Sequence, residues 1–119
     1  MKRIRIKSTL TISPIRHTFK WKLTKDWVLR VDGEIIIIKE GFATDFASVP
    51  RFLWGLIPPA EGYYRLPAVL HDWMYVKGYK TKTFADKTFL KFMEQQGVHP
   101  IKRILMYWGV RLFGKGSYL

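Results

Sequence analysis

The chain of 119 residues contains no cysteine, which excludes a disulfide framework and any thiolate-ligated metal site. A reducing compartment is compatible with that. Acidic residues are also scarce, nine against 21 lysines and arginines, for a formal net charge of +12. Long apolar runs are missing too. Stretches such as Ile35–Ile38 are far too short to span a bilayer. The basic start Met1-Lys2-Arg3-Ile4-Arg5-Ile6-Lys7 leads into no apolar h-region, so no secretory signal peptide is read there. The expectation is a soluble chain, or one that rests on a membrane surface. No internal repeat, linker or low-complexity stretch is present.

What is abundant is apolar and basic. Hydrophobic residues make up 48% and aromatics 16% of the chain, enough to bury a core and to exclude a disordered tail as the main component. The length suits a single domain over residues 1–119, β-rich over 1–45 and helical over 50–114. The charge is spread along it. Residues 1–40 carry ten Lys/Arg against four acids and residues 41–119 eleven against five, so each part contributes +6. Such a surface attracts an anionic partner, whether a lipid surface, an acidic protein or nucleic acid. A generic basic surface with no dedicated partner is equally compatible with the charge.

The pattern is strand-like first and helical second. Ile4, Ile6, Leu10 and Ile12 alternate with polar residues, and Pro14 ends that run. Phe19, Trp21 and Leu23 alternate with lysines, and Trp27, Leu29 and Val31 continue the period of two. Asp32-Gly33 between that run and Glu34–Lys39 predicts a hairpin. A short helical turn is expected over Pro50–Leu56, with Pro58-Pro59 as a stop. Pro67 suits the first turn of a helix reaching about Val76. A second helix is read from Thr83 to before Gly97, and a third from Pro100, with His99 as its start residue, to about Phe113. The result is an α+β fold, a small N-terminal antiparallel β-sheet followed by about three helices.

Polar groups stand out where the surroundings are apolar. The helix around Ala68–Val76 is apolar nearly all round except for His71 and Asp72, with Tyr75 one turn after His71. On the next helix Asp86 shares a face with Phe89, Leu90 and Met93. Buried carboxylates demand partners, so Asp86 and the His71-Asp72 pair are expected to meet, to be hydrogen-bonded or to hold a metal. Two bland alternatives compete: Thr83-x-x-Asp86 as a capping box, and His71-Asp72 as a satisfied packing pair. Asp45, in Gly41-Phe42-Ala43-Thr44-Asp45, is either a turn-forming carboxylate or a fourth member of the cluster. A set of Asp45, His71, Asp72 and Asp86 would suit a divalent cation, zinc or the harder Ca²⁺, Mg²⁺ and Mn²⁺. A Ser48-His71-Asp86 triad can be drawn, with Ser48 as a turn cap the plainer explanation. Ile101, Ile104, Leu105, Trp108 and Leu112 form one helical stripe, expected to pack into the core, the alternative being a surface helix docking on anionic lipid.

Three segments carry a resemblance. Gly41-Phe-Ala-Thr-Asp-Phe-Ala-Ser-Val-Pro-Arg51, Ala68-Val-Leu-His-Asp-Trp-Met-Tyr75 and Ala85-Asp-Lys-Thr-Phe89 resemble Domain of Unknown Function 1353, over roughly residues 35–114. That resemblance implies a bacteriophage or prophage setting, in the virion or the cytoplasm of an infected bacterium, and no agreed chemistry. His71-Asp72-x-x-Tyr75 followed by Asp86 is also similar to the phospholipases A2. This second likeness implies His71 as general base, Asp86 as its orienter, Tyr75 as a donor to that carboxylate and Asp72 as a calcium ligand. The glycine-rich calcium loop of those enzymes has no counterpart before His71, and their disulfides cannot form here. Three readings follow: a His- or metal-dependent hydrolase of a lipid or envelope component, a non-enzymatic virion or assembly component, and a basic nucleic-acid-binding module.

Overall fold

The structure, a computed structural model, describes residues 2–18, 20–44 and 62–114. Its order is strands, then helices, the α+β arrangement expected. The strands are β1 (Arg5–Ile6), β2 (Ile12–Pro14), β3 (Trp21–Leu23), β4 (Trp27–Val31), β5 (Glu34–Ile38) and β6 (Ala43–Thr44). The helices are α1 (Gly62–Lys77), α2 (Lys82–Gln95) and α3 (Pro100–Phe113). The strands form one compact unit and the helices another. Asp45, Ser48 and the helical turn expected over Pro50–Leu56 lie outside the described residues, as does Phe19.

The N-terminal unit contains two antiparallel sheets, ordered β1-β4-β5 and β2-β3-β6, where a single small sheet was expected. The run from Ile4 to Ile12 splits because β1 pairs with β4 and β2 with β3. Between them Lys7 and Ser8 both donate to the Val28 carbonyl, at 2.9 and 3.2 Å, and the Ser8 hydroxyl accepts from the Val28 N–H. Two residues opposite one is a bulge-like arrangement that turns the chain out of the first sheet. Ile6 stands opposite buried Leu29 but on an edge strand, and stays 39% exposed.

The hairpin is as expected. Val31 pairs with Glu34 across Asp32-Gly33, whose φ values of 49° and 85° are both positive, as a two-residue type I′ turn requires. Alternation then divides the four isoleucines of β5. Ile36 and Ile38 are buried beside Leu29 and Trp27, and Ile35 and Ile37 face outward. Each buried isoleucine contributes roughly 1.5–3 kcal/mol.

The helical unit differs from expectation at its first boundary. Helix α1 begins at Gly62, so Pro67 lies inside it and not in its first turn. The proline ring removes one intrahelical donor there, and burial of Pro67, Ala68, Val69, Leu70 and Met74 offsets that loss. Helix α2 starts one residue before Thr83: Thr81 is its N-cap, and its hydroxyl accepts from the Phe84 N–H at 3.0 Å. Gly97, with φ of 85°, follows its C-cap, and the Val98 N–H closes on the Met93 carbonyl at 3.0 Å. In α3 the bounds expected are found, and His99 Nδ1 caps it by accepting from the Ile101 N–H. Helix α2 packs against both α1 and α3.

Candidate functional site

Helix periodicity assembles the site. At about 100° per residue, His71 and Tyr75 stack one turn apart on α1. Lys82 and Asp86 do the same on α2, and the last turn of α3 supplies Arg111 and the carbonyls of Val110 and Arg111. All five side chains meet at Asp86. Its Oδ1 accepts from His71 Nε2 at 2.8 Å and from the Tyr75 hydroxyl at 2.5 Å. Its Oδ2 accepts from Lys82 Nζ at 2.8 Å and from Arg111 Nη1 at 3.0 Å. Lys82 Nζ also donates to the Val110 and Arg111 carbonyls, at 2.9 and 3.1 Å, where the negative end of the α3 dipole favours a cation.

Electrostatics set the protonation states. Burial by itself pushes the Asp86 carboxyl up, since the residue is 0% exposed. Hydrogen bonds from His71, Lys82 and Tyr75 outweigh it and hold the group at about 2. Burial pushes His71 down from 6.5, against the hydrogen bond and charge of Asp86, while the Lys82 charge adds to the lowering. At neutral pH the pair is therefore a carboxylate and a neutral imidazole. The carboxylate fixes the tautomer, with the proton on Nε2 and the lone pair on Nδ1. His71 Nδ1 is buried and has no hydrogen-bond partner among the described residues. The ring stacks on Phe89, centroids 4.5 Å apart, and lies 4.2 Å from the Tyr75 ring.

The residues singled out from sequence divide three ways. His71, Tyr75 and Asp86 come together. Asp72, 8% exposed, sits one position round α1 from His71 and is not among the donors or cations gathered at Asp86. Asp45 lies outside the described residues, as does the Ser48 of the triad. The capping-box reading of Thr83 and Asp86 is overturned. Thr81 holds the cap, and Asp86 turns inward because four donors await it there. Among the described residues no group of three or more His, Asp or Glu side chains gathers into a metal-holding cluster.

Three participants escaped the sequence reading. Lys82 was detectable from its i,i+4 spacing to Asp86. Arg111 had no local signal, because it reaches Asp86 from another helix. Gly114 leaves space: a Cβ there would lie 2.6 Å from the Tyr75 hydroxyl oxygen.

Comparison with known proteins agrees with the motif-bearing segments. The chain is 32% identical over 78 residues to an uncharacterized protein, y4jT, of Sinorhizobium fredii (strain NBRC 101917 / NGR234). The aligned part is 65% of this chain and only 23% of that relative. No solved structure matches. A family model described as "Protein of unknown function (DUF1353)" matches residues 21–110, a stretch that includes His71, Tyr75, Lys82 and Asp86, and the chain belongs to that family.

Proposed function

We propose that the protein is a hydrolase in which His71 is the general base, acting on an ester of a lipid or cell-envelope component in a bacteriophage or prophage setting. The observation that carries this reading is the inequality of the two imidazole nitrogens. Nε2 is held by an Asp86 that is ionised at neutral pH, and Nδ1 presents a lone pair with no partner among the described residues. A water at Nδ1 gives its proton to the ring as its oxygen bonds to the acyl carbon and the carbonyl pair moves to oxygen. Collapse of the tetrahedral species breaks the bond to the alcohol, which leaves with the proton returned from Nδ1. Asp86 stays ionised and stabilises the transient imidazolium. Tyr75 and Lys82 are positioning residues for that carboxylate. A divalent cation, Ca²⁺ or Zn²⁺, would draw on Asp72 and Asp45. The described residues do not by themselves meet its coordination needs, and no step above runs through one.

The test is hydrolysis of phosphatidylglycerol and of short-chain nitrophenyl esters by wild type and by His71→Gln. The Gln amide still donates to Asp86 but offers no basic nitrogen. Activity should drop on the order of a hundredfold or more in a variant whose circular dichroism is unchanged. The acid limb of the pH–rate profile should lie below pH 6.5, because burial lowers the His71 pKa. Undiminished turnover in folded His71→Gln sinks the assignment.

Burial favours a second reading. His71 is 1% exposed, and Asp86 accepts from groups on all three helices. A virion or assembly component would use such a cluster as a lock on helix packing. That reading predicts no turnover of any ester by wild type, and His71 variants that do nothing but melt earlier.

A further inference from the structure

The α3 stripe expected to pack into the core is on the outside. Ile101, Ile104, Leu105, Trp108 and Leu112 are between 42% and 69% exposed, and the buried side of the helix is Met106, Gly109 and Val110. The five exposed residues span about 100° of the helical wheel, a continuous apolar face without a polar member. Four of them, Ile101, Leu105, Trp108 and Leu112, follow one another at intervals of four, three and four residues, the alternation of a helix–helix seam. The cations of α3 are engaged away from it. Arg111 donates to Asp86, Arg103 donates to the Val98 carbonyl at 3.0 Å, and Lys102 is half-buried toward the covered side of the helix. The helix therefore supplies a neutral seam, and not the cation-lined apolar face by which a surface helix holds anionic lipid.

We propose that α3 pairs with α3 of a second copy of the chain, the two helices antiparallel about a two-fold axis at the level between Met106 and Tyr107. Symmetry and area select this occupant. Intervals of four, three and four read the same in both directions along the helix. A two-fold therefore sets Leu105 opposite Trp108 of the second copy and Ile101 opposite Leu112 of the second copy, so every seam residue meets a seam residue. A partner of unrelated sequence imposes no such symmetry on the spacing. Like charges stay apart in this pairing. The two copies of Arg111, and likewise the two of Lys102, are offset by roughly 13 Å along the axis, beyond a Debye length at physiological salt. About half of each of the five side chains is exposed, on the order of 550 Å² per copy, so two copies with their flanking atoms pass the roughly 1,000 Å² at which a specific interface begins. The proposal does not depend on His71 being a catalytic base, and a failure of either leaves the other standing.

The experiment is sedimentation equilibrium of the full chain across micromolar concentrations at low and high ionic strength. Wild type should dimerise, more tightly as salt is raised, because a net charge of +12 on each chain opposes self-association. Leu105→Glu and Trp108→Lys should each weaken the dimer on the order of tenfold or more. Mixed in equal amounts the two variants should recover it. The two-fold then sets the introduced carboxylate beside the introduced amine in one layer and keeps the native Leu105–Trp108 contact in the other. Circular dichroism verifies each fold, and Ile101→Glu with Leu112→Lys stands in if either variant fails to fold. A wild type that is monomeric at every concentration overturns the proposal, and if that monomer co-sediments with phosphatidylglycerol vesicles the face belongs to lipid. A dimer that both variants leave intact overturns it by placing the contact elsewhere. A mixture no tighter than its components overturns the antiparallel pairing.

Discussion

Asp86 is a buried anion whose free energy rests on its donors. Removing its charge in Asp86→Asn leaves Lys82 and Arg111 without their counter-ion, while a quarter or so of each side chain still reaches solvent. The expected loss is on the order of 3 kcal/mol in urea unfolding, below the full penalty of an unpaired buried charge. Gly114 presents the opposite problem, an added atom. In Gly114→Ala the new Cβ would lie 2.6 Å from both the Tyr75 hydroxyl oxygen and the Val110 carbonyl oxygen. Relief requires Tyr75 to swing away from Asp86 and the backbone at residue 114 to shift off the Val110 carbonyl, at a cost of about 1–3 kcal/mol. Pairing this change with Tyr75→Phe measures the route: the two losses should fall short of additive if the clash acts through the Tyr75–Asp86 bond. Asp86 itself was visible in the sequence as an acid on an apolar helix face. Gly114 was not, because only the folded chain brings Tyr75 against it.

Among the elements, α2 is capped by Thr81, two residues before the Thr83 start read from the sequence. Thr81→Ala removes the hydroxyl that accepts from Phe84 N–H and should cost about 1 kcal/mol. Thr83→Ala, once a candidate cap, loses only an exposed contact with Arg111 at 3.3 Å and should cost a few tenths at most. Thermal unfolding of the two variants decides between the caps. The error at Thr83 came from pairing a threonine with the acid three residues on, a pattern that says nothing about which way the acid points. Helix α1 was placed too late for a similar local reason: Pro67 signals a first turn, and the burial that lets a helix tolerate an internal proline is invisible in one dimension. Helix α3 shows the same limit from the other side. Its bounds followed from Pro100 and Gly114, but which of its apolar faces is covered did not.

For the molecule as a whole, acid should be the weak side. Asp86 has a folded pKa of about 2 against an ordinary 3.8, so its contribution is complete above pH 4 and is lost as pH falls toward 2. That difference is worth on the order of 2 kcal/mol. His71 also has a lowered folded pKa, so the unfolded chain takes up its proton first, near 6.5. Stability therefore begins to fall below pH 6.5 and falls again below pH 4. A Tm-against-pH curve for wild type should show both steps, and His71→Gln should lose the upper one. A wild-type curve flat from pH 7 to 5 would show that His71 titrates alike in both states.

Sequence alone determined the element types, because they depend on period and punctuation. Alternation at Trp27, Leu29 and Val31, Asp32-Gly33 at the hairpin, and Pro100 and Gly97 at helix ends act within a few residues of themselves. It also determined that His71, Tyr75 and Asp86 turn inward, since facing follows from helical spacing. Only the tertiary structure decided that the strands divide into two sheets, that Arg111 completes the Asp86 cluster, and that the α3 stripe faces out. Each of these is a contact between residues far apart in the chain. Its free energy depends on which surfaces are already occupied, and neither hydrophobic period nor turn chemistry encodes that.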